Sequence, residues 1–534
     1  MNGINAKAIV TLLFGLGLGI YVMVEVLLAR TSSLGQLYLF MAVGAFVFGL
    51  VNPRPAMYLL MFCTVYIDVF KRLMVVGGNP TFQDVAYILA IPPLLVAGSI
   101  VSVFLGATVG RGKMTRDMFI SLIVSVVVVV VTVAGTAYGS SDRAGLGKLG
   151  VIVNQGFYSF LFFTLPVLFP SDEDRRKLLH FSFLTFIPSM FYMFWQRKFG
   201  YADYETAYLM TGLTIEVKNF AESMGQVRCF STFNGAGTAS TLFSIYVLYC
   251  FVPLRPGNAV PSVFKRTGKW LLAPLFMIAA YFTIGRTGWF CGVGSLLAYA
   301  VLGTKLRARF GIFAGIGIFV TVILLAPIMI KDRWLQIMET QLKHIVLATT
   351  NDPTLTRAVM LGSVQDRVQG WANLTTNTMI WQPFGFVASG ISVSNTTNAD
   401  FHWGHDALID SLINFGYVPV VLGLIIGGYL FSRVFKYMYS LPREALAFKN
   451  TRLCIALAVG ILVGAMGNGA QFRNFPQNLF FSLWLAIPFA TYQAAMRARK
   501  SASLAILPED QSVEERTATS KARRVRGLHR PNPA

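Results

Sequence analysis

The chain has 534 residues, of which 55% are hydrophobic and only 13% are charged, and its mean hydropathy is +0.59. This composition excludes an ordinary soluble protein, in which about a quarter of the residues are charged. The formal net charge of +21 would suggest a nucleic-acid partner for a soluble protein. In a chain this apolar, membrane topology explains the basic excess, and we expect no nucleic-acid partner.

Apolar stretches long enough to cross a bilayer recur along nearly the whole chain. A bilayer core requires about 20 mostly apolar residues per helix. The sequence therefore predicts an all-α polytopic membrane protein with about 12–14 transmembrane helices, since the short 56–70 stretch and the tightly connected pair over 269–304 leave the count open. The stretches lie near residues 8–29, 35–51, 56–70, 83–108, 118–138, 150–169, 179–195, 235–254, 269–285, 287–304, 310–330, 412–432, 452–470 and 477–495.

The placement of lysine and arginine predicts how the chain is oriented in the membrane. These residues accumulate in cytoplasmic loops because they are not readily translocated. If the N-terminus is cytoplasmic, most of the 45 basic residues fall on the inner side, together with the basic segment from Arg497 to Arg530. The first apolar stretch has no convincing cleavage site after it, which favours a retained helix over a signal peptide.

Long polar segments divide the chain into four predicted units. These are an N-terminal transmembrane helix bundle (1–330), a large outer loop (331–405), C-terminal transmembrane helices (406–496) and a basic tail (497–534). Apolar residues at helical spacing over 334–347 indicate that the outer loop contains helices, along the membrane surface or as a cap on the bundle. The composition of the tail favours disorder and contact with anionic membrane lipids.

Two arginines stand at the outer ends of predicted membrane helices. Arg228 precedes a small, hydroxyl-rich turn that includes Asn234 and leads into a helix, whose first N–H groups favour an anion. Arg286 lies in a tight turn between glycines, where a lone charge is costly and is more often kept for a partner. For Arg228, the alternative is a flexible turn whose arginine touches lipid headgroups. For Arg286, the alternative to a bound partner is a purely structural role.

A third arginine and a histidine lie in the large outer segment. Arg367 and Trp371 are four residues apart and share a helix face, although a salt bridge to Asp366 would be a purely structural role for that arginine. His405 stands before a helix re-enters the membrane, with ten residues between it and Gly416. There it can exchange a proton near neutral pH, and helix capping is the alternative. The predicted topology places all four residues on the outer side, where they suit chemistry on a lipid-linked diphosphate.

Taken in order, these segments resemble the O-antigen ligase and O-antigen polymerase superfamily of bacterial polysaccharide assembly, over roughly residues 215–430. The run from Arg228 to Asn234 is similar to that family's arginine followed by Gly-Thr-Phe-x-x-Pro-Asn, although no proline precedes the asparagine here. Arg286 resembles its Arg-x-x-x-Leu element, with Phe290 in place of leucine.

The resemblance extends through the outer loop. The segment from Arg367 to Trp371, followed by Pro383-Phe-Gly, is similar to a family pattern that ends in Pro-x-x-Gly, with a turn one residue shorter here. His405 and Gly416 match the spacing of the ligases. The resemblance implies a many-helix fold with a large periplasmic loop in the bacterial inner membrane, and a glycan donor linked to undecaprenyl diphosphate.

The three arginines and His405 have the chemistry that glycan transfer from a lipid-linked diphosphate requires. Transfer from a lipid diphosphate leaves growing negative charge on the leaving group, which the forked and permanently charged donors of arginine stabilise. We therefore predict that Arg228, Arg286 and Arg367 bind the diphosphate of the donor. His405 would accept the proton of the attacking sugar hydroxyl, with Asp406 or Asp410 orienting it. No acidic cluster lies near the first outer loop and the five cysteines show no paired spacing, so no metal or other cofactor is expected.

Several functions remain open on the sequence alone. A ligase transfers a finished glycan to a glycan or lipid-linked acceptor, whereas a polymerase of the same superfamily joins repeat units at a similar site. A transporter or flippase would need charged residues within the bundle, for which Glu25 and Asp68 are the candidates. A scaffold whose arginines bind lipid headgroups is a third class, and it should tolerate lysine in their place.

Overall fold

The computed structural model describes residues 17, 33–108, 115–139, 156–211, 228–252, 263–283, 285–303, 380–385, 407–466 and 475–505. Within these ranges the regular structure is helical, which confirms the all-α class, and two short 3-10 helices cover Met74–Gly77 and Phe157–Phe160. The α-helices are α1 (Ser33–Val51), α2 (Pro53–Leu73), α3 (Phe82–Leu89), α4 (Ile91–Thr108), α5 (Arg116–Gly139), α6 (Leu161–Leu168), α7 (Asp172–Phe199), α8 (Asp203–Met210), α9 (Ala236–Phe251), α10 (Val263–Phe282), α11 (Arg286–Leu302), α12 (Ala407–Phe415), α13 (Tyr417–Ser440), α14 (Leu446–Ala465) and α15 (Gln477–Ala505).

Five helices of the described ranges are long and apolar enough to cross a membrane, and they indicate a polytopic membrane protein. The helices α3 and α4 meet at a bend of 43° and would together make a sixth span. The spans predicted over 8–29 and 310–330 lie outside the described residues. The five helices cover Leu34–Val51, Asp172–Phe199, Tyr417–Ser440, Leu446–Ala465 and Gln477–Arg499.

Two predicted spans are interrupted in the structure, which corrects their boundaries. The stretch 83–108 breaks after Leu89, where two prolines open α4 and remove the backbone donors that a continuous helix would need. The stretch 412–432 breaks at Gly416, whose φ of +81° lies in the left-handed region and separates α12 from α13. The last helix continues to Ala505, past the predicted start of the tail at residue 497.

Small residues bring α9, α11 and α14 into close contact. A Cβ atom placed on Gly288 of α11 would lie 2.0 Å from the Oγ of Ser240 in α9. One placed on Gly464 of α14 would lie 2.1 Å from the Sγ of Cys291 in α11. Close approach through small residues is a main route by which helices associate in a bilayer. It places the first turns of α9 and α11 side by side, at the end of the bundle that we call the site end.

Arginines bind the C-terminus of α6 at the opposite end of the bundle. Arg54 donates Nε to the carbonyl of Leu168, Arg175 donates Nη1 to the carbonyl of Phe169, and Arg497 donates to the carbonyl of Pro166. These carbonyls lack intrahelical donors and carry the negative end of the helix dipole. These three arginines thus join the C-terminus of α6 to neighbouring helices.

Candidate functional site

The segment that follows Arg228 is buried and ordered. The side chains from Cys229 to Phe233 are all buried. Ser231 has a φ of +56°, a left-handed conformation that residues other than glycine rarely adopt, so the surrounding contacts must hold it. The interpretation of this segment as a flexible turn is therefore wrong, and we refer to residues 228–235 as the site loop.

The side chain of Gln196, in the last turns of α7, binds the site loop on one side and α8 on the other. Its Oε1 accepts the backbone N–H of Ser231 at 2.7 Å and that of Phe230 at 3.3 Å. Its Nε2 donates to both carboxylate oxygens of Glu205, at 3.0 and 3.1 Å. Gln196 is fully buried, so each of its polar atoms needs such a partner.

A buried ion pair completes the support of the site loop. Arg72 at the end of α2 donates Nη1 to Glu205 Oε1 at 2.5 Å, and the two side chains are 1% and 0% exposed. The same guanidinium donates to the carbonyl of Ser231 at 3.1 Å and to that of Phe233 at 2.6 Å. Its Cζ also lies 4.4 Å from the centre of the Phe230 ring. One arginine therefore neutralises a buried carboxylate and fixes two loop carbonyls.

A hydrogen bond to its carbonyl fixes the backbone of Arg228, while one nitrogen of its side chain lacks an acceptor in the described part of the chain. The hydroxyl of Tyr201 donates to the Arg228 carbonyl at 2.9 Å, and the Tyr201 ring stacks on Phe230. The Nε of Arg228 is buried without a hydrogen-bond partner in the described part of the chain. Burial lowers the pKa of this guanidinium, and Tyr201 opposes the shift. An anion near Arg228 would both accept its hydrogen bonds and stabilise its charge.

Arg197 is a further cation at the site end that the sequence did not reveal as special. It lies in the last turn of α7, and its Cζ is 5.6 Å from the centre of the Phe282 ring at the end of α10. Burial raises the pKa of the neighbouring Cys229 thiol to about 11, and the Arg197 guanidinium opposes this rise. In the sequence, Arg197 and Lys198 resemble the basic residues that commonly end an apolar helix. No sequence pattern therefore distinguishes Arg197 as a site residue.

Helix N-termini add to the positive potential at the site end. The helices α9 and α11 begin after Gly235 and Gly285, so no Ncap side chain occupies their first amide groups. The two starts are joined, because Ser240 Oγ of α9 donates to the Gly285 carbonyl at 2.8 Å. Each helix N-terminus carries a partial positive charge that favours an anion.

Asn234 connects the site loop to the start of α15. Its Nδ2 donates to the carbonyl of Phe475 at 3.2 Å, and its Oδ1 accepts the hydroxyl of Thr238 at 2.8 Å. Thr238 in turn accepts a hydrogen bond from Gln477 at 2.8 Å. A third helix N-terminus is thereby fixed next to the site loop.

The structure brings two of the predicted arginine positions to one end of the bundle. Arg286 is the first residue of α11, and the contact between Gly285 and α9 places that helix start beside the one that follows the site loop. Asp410 lies on α12, and its side chain is not among those described. Arg367, Trp371, His405 and Asp406 lie outside the described residues.

Gly416 has a steric role that joins two of the predicted segments. A Cβ at this position would lie 2.3 Å from the Gly385 nitrogen and 2.4 Å from the Pro383 carbonyl oxygen. The first amide groups of α13 donate to the same turn, Tyr417 to the Gln382 carbonyl at 3.0 Å and the next residue to Pro383 at 3.1 Å. The Pro-Phe-Gly turn and Gly416 are therefore one packed unit.

Comparison of the chain with protein-family models, curated proteins and solved structures yields no match. Among the described residues, no group of three or more His, Cys, Asp and Glu side chains is placed to hold a metal ion. The candidate site comprises Arg228, Arg197 and the adjoining starts of α9, α11 and α15.

The support of the site loop can be tested at Glu205. The Glu205→Gln substitution keeps the shape of the side chain but leaves Arg72 as a buried, unpaired charge, which should lower the free energy of unfolding by about 3–5 kcal/mol. The measurement is thermal or denaturant unfolding of the purified protein in detergent. Asp203→Asn removes an exposed charge from the same helix and is the matched control. Equal stability of the two variants would show that the ion pair does not support the loop.

The steric role of Gly416 predicts a clear difference between two glycines. Gly416→Ala should lower the melting temperature by several degrees, because it combines a left-handed φ, worth about 1–2 kcal/mol, with backbone clashes. Gly423→Ala is the control, since its Cβ would meet nothing within 4 Å in the middle of α13, and alanine should be neutral or slightly stabilising there. A Gly416→Ala protein as stable as the control would contradict this packing.

Proposed function

We propose that the protein is a membrane glycosyltransferase of the O-antigen ligase type. It would move a glycan from an undecaprenyl-diphosphate donor to a sugar hydroxyl on the periplasmic face of the bacterial inner membrane. The observation that carries this proposal is Arg228, a half-buried arginine at the start of the site loop whose Nε has no acceptor in the described part of the chain. A diphosphate offers the acceptors that this guanidinium lacks.

The surroundings of Arg228 suit a leaving diphosphate better than a neutral ligand. Negative charge grows on the diphosphate as the anomeric C–O bond breaks, so fixed positive groups around it lower the barrier. The starts of α9, α11 and α15 supply such fixed partial charges beside the site loop. Arg286, at the first position of α11, and Arg367, in the large loop, would add two further guanidinium groups in this proposal.

The proposed orientation places the site end outside the cytoplasm. The opposite end holds Arg54, Arg175 and Arg497 at the C-terminus of α6, together with Arg433 and Arg443 around the end of α13. A basic end of this kind is typical of the cytoplasmic side. In this arrangement the chain would cross the membrane about 12–14 times, and the loop over 331–405 would cover the site from the periplasm.

In the proposed transfer step, residues of the chain itself accept the proton and stabilise the leaving group. The oxygen of the acceptor hydroxyl attacks the anomeric carbon, His405 takes the hydroxyl proton, and the bond from that carbon to the diphosphate oxygen breaks. Undecaprenyl diphosphate leaves with the electron pair, and His405 returns its proton to solvent before the next turnover. Asp406 or Asp410 would orient the imidazole. The proposal requires no metal, because the arginines take the part that a divalent cation plays in other transferases.

Two alternatives follow from the same residues. A polymerase that joins repeat units would use the same donor chemistry and differs only in its acceptor. A lipid-linked sugar transporter is less favoured, because the described candidate for a charged group inside the bundle is already neutralised. Lys71 Nζ lies 2.8 Å from Asp68 Oδ1, and both side chains are nearly fully buried. Such a pair is a structural contact within α2 rather than an open ion site.

The proposal predicts transfer in detergent, where no compartments exist. The purified protein should transfer glycan from an undecaprenyl-diphosphate donor to an acceptor in the presence of EDTA. Arg228→Lys keeps the charge but loses the forked donor, so the kcat/KM for the donor should fall by about 10- to 100-fold. Arg443→Lys, an exposed change at the opposite end, is the control. Full activity of Arg228→Lys would contradict the assignment of this arginine, and loss of all transfer with EDTA would contradict the metal-free mechanism.

The base can be tested separately from donor binding. His405→Ala should lower kcat by about 10²–10⁴-fold while leaving the affinity for undecaprenyl diphosphate unchanged, because a general base acts in the transfer step. His402→Ala, three residues earlier, is the matched control and should transfer glycan normally. An unchanged kcat in His405→Ala would remove the base from the mechanism.

A further inference from the structure

A chain of side-chain hydrogen bonds joins the site loop to the first turns of α9 and α15. Asn234 of the site loop donates Nδ2 to the carbonyl of Phe475 at 3.2 Å. Thr238, in the first turn of α9, donates its hydroxyl to Asn234 Oδ1 at 2.8 Å. Gln477, the first residue of α15, donates Nε2 to Thr238 Oγ1 at 2.8 Å. The side chain of Gln477 thus lies where both helix starts meet the site loop.

The direction of every proton in this chain follows from its first member. The Phe475 carbonyl can only accept, so the amide of Asn234 must present Nδ2 to it and Oδ1 to Thr238. Thr238 then gives its one hydroxyl proton to Oδ1 and keeps its lone pairs for a donor. Gln477 must therefore present Nε2 to Thr238, because the opposite amide orientation would place two acceptors on a hydroxyl with one proton.

Gln477 Oε1 is left as a buried acceptor without a donor. The residue is only 1% exposed, and this oxygen has no hydrogen-bond partner in the described part of the chain. Leaving a buried polar atom unpaired costs free energy, so a partner that donates a hydrogen bond is favoured here. An ionised phosphate oxygen has no proton to donate, whereas a hydroxyl or an amide N–H group does.

The position of this acceptor matches the sugar part of a glycosyl diphosphate. The start of α9 favours the anionic part, and Thr238 in the first turn of the same helix holds Gln477. In a lipid-linked donor the first sugar is bonded directly to the diphosphate and carries hydroxyl or N-acetyl groups. We propose that Gln477 Oε1 accepts a hydrogen bond from such a group on the first sugar, which makes Gln477 a specificity-determining residue. This inference rests on the proposed function and adds a sugar contact to it.

A second buried glutamine of α15 provides the matched control. Gln493 is fully buried toward the opposite end of the helix, and both of its polar atoms have partners. Its Oε1 accepts the hydroxyl of Thr115 at 2.5 Å, and its Nε2 donates to Asp117 Oδ2 at 3.5 Å. Methionine keeps the length of a glutamine side chain but offers only a weak acceptor. Gln493→Met therefore reports the effect of this substitution on the fold alone.

The test is a binding measurement on the full-length protein in detergent. The probes are undecaprenyl diphosphate and its conjugates with glucose, galactose or N-acetylglucosamine, each bonded through the anomeric carbon. In the wild-type protein, at least one conjugate should bind about 3- to 10-fold more tightly than the bare lipid, the factor expected for one hydrogen bond. Gln477→Met should lose this gain and keep its affinity for the bare lipid. Gln493→Met should keep both.

Deoxy analogues of the conjugate that binds most tightly test the contact in the wild-type protein itself. Replacing the contacted group of the sugar by hydrogen should weaken binding to the wild type by about 3- to 10-fold. The same replacement should have no effect in Gln477→Met, because the two changes remove the same contact and are therefore not additive.

The opposing results are distinct. Equal losses in Gln477→Met and Gln493→Met would show an effect on the fold, and a loss of affinity for the bare lipid would place Gln477 at the diphosphate. Either result overturns the proposal. A wild type that responds to none of the deoxy analogues also overturns it and leaves water as the partner of Oε1. In each case the proposed function stands if Arg228→Lys weakens binding of the bare lipid, whereas a wild type that binds no probe rejects both.

Discussion

The buried ion pair between Arg72 and Glu205 determines the geometry of the site end. Removing two charges from water costs several kcal/mol per ion, so the pair is stable only when its remaining donors and acceptors find partners. Those partners are Gln196 and the carbonyls of Ser231 and Phe233. The loop must therefore adopt the one conformation that supplies them, including the left-handed φ at Ser231. The position of Arg228 is a consequence of that conformation.

Arginines in this protein have two different roles, which their partners distinguish. At the opposite end, Arg54, Arg175 and Arg497 give donors to the carbonyls that end α6, so their charge is used within the fold. At the site end, the charge of Arg72 is likewise used within the fold, because it pairs with Glu205 and donates to two loop carbonyls. Arg175, Arg228 and Arg497 each have a buried Nε without an acceptor in the described part of the chain. Arg175 and Arg497 donate another nitrogen to the end of α6, whereas among the described residues the Arg228 side chain donates no hydrogen bond. This contrast is the reason to associate ligand binding with the site end rather than with basic residues in general.

The sequence predicted the helical class and the main apolar helices because hydropathy depends on composition over many residues, as in α1 and α14. It missed the breaks at Gly416 and after Leu89, since apolar character continues through both. It also missed Arg72, Glu205 and Gln196, because their contacts join residues as far as 161 positions apart and no local sequence pattern indicates them. Arg228 and Asn234 became candidates because they precede a recognisable helix start, and their role in a site stays a prediction.

The packing around Gly416 joins residues that are about 30 positions apart in the sequence. The Pro-Phe-Gly turn and Gly416 are in direct contact, and Ile380 packs with Ile409 and Ile413 of α12 in one buried cluster. The Pro-Phe-Gly turn, Gly416 and the first amide groups of α13 therefore form one packed unit. The nine residues of α12 make a helix about 13 Å long, which ends directly at this unit.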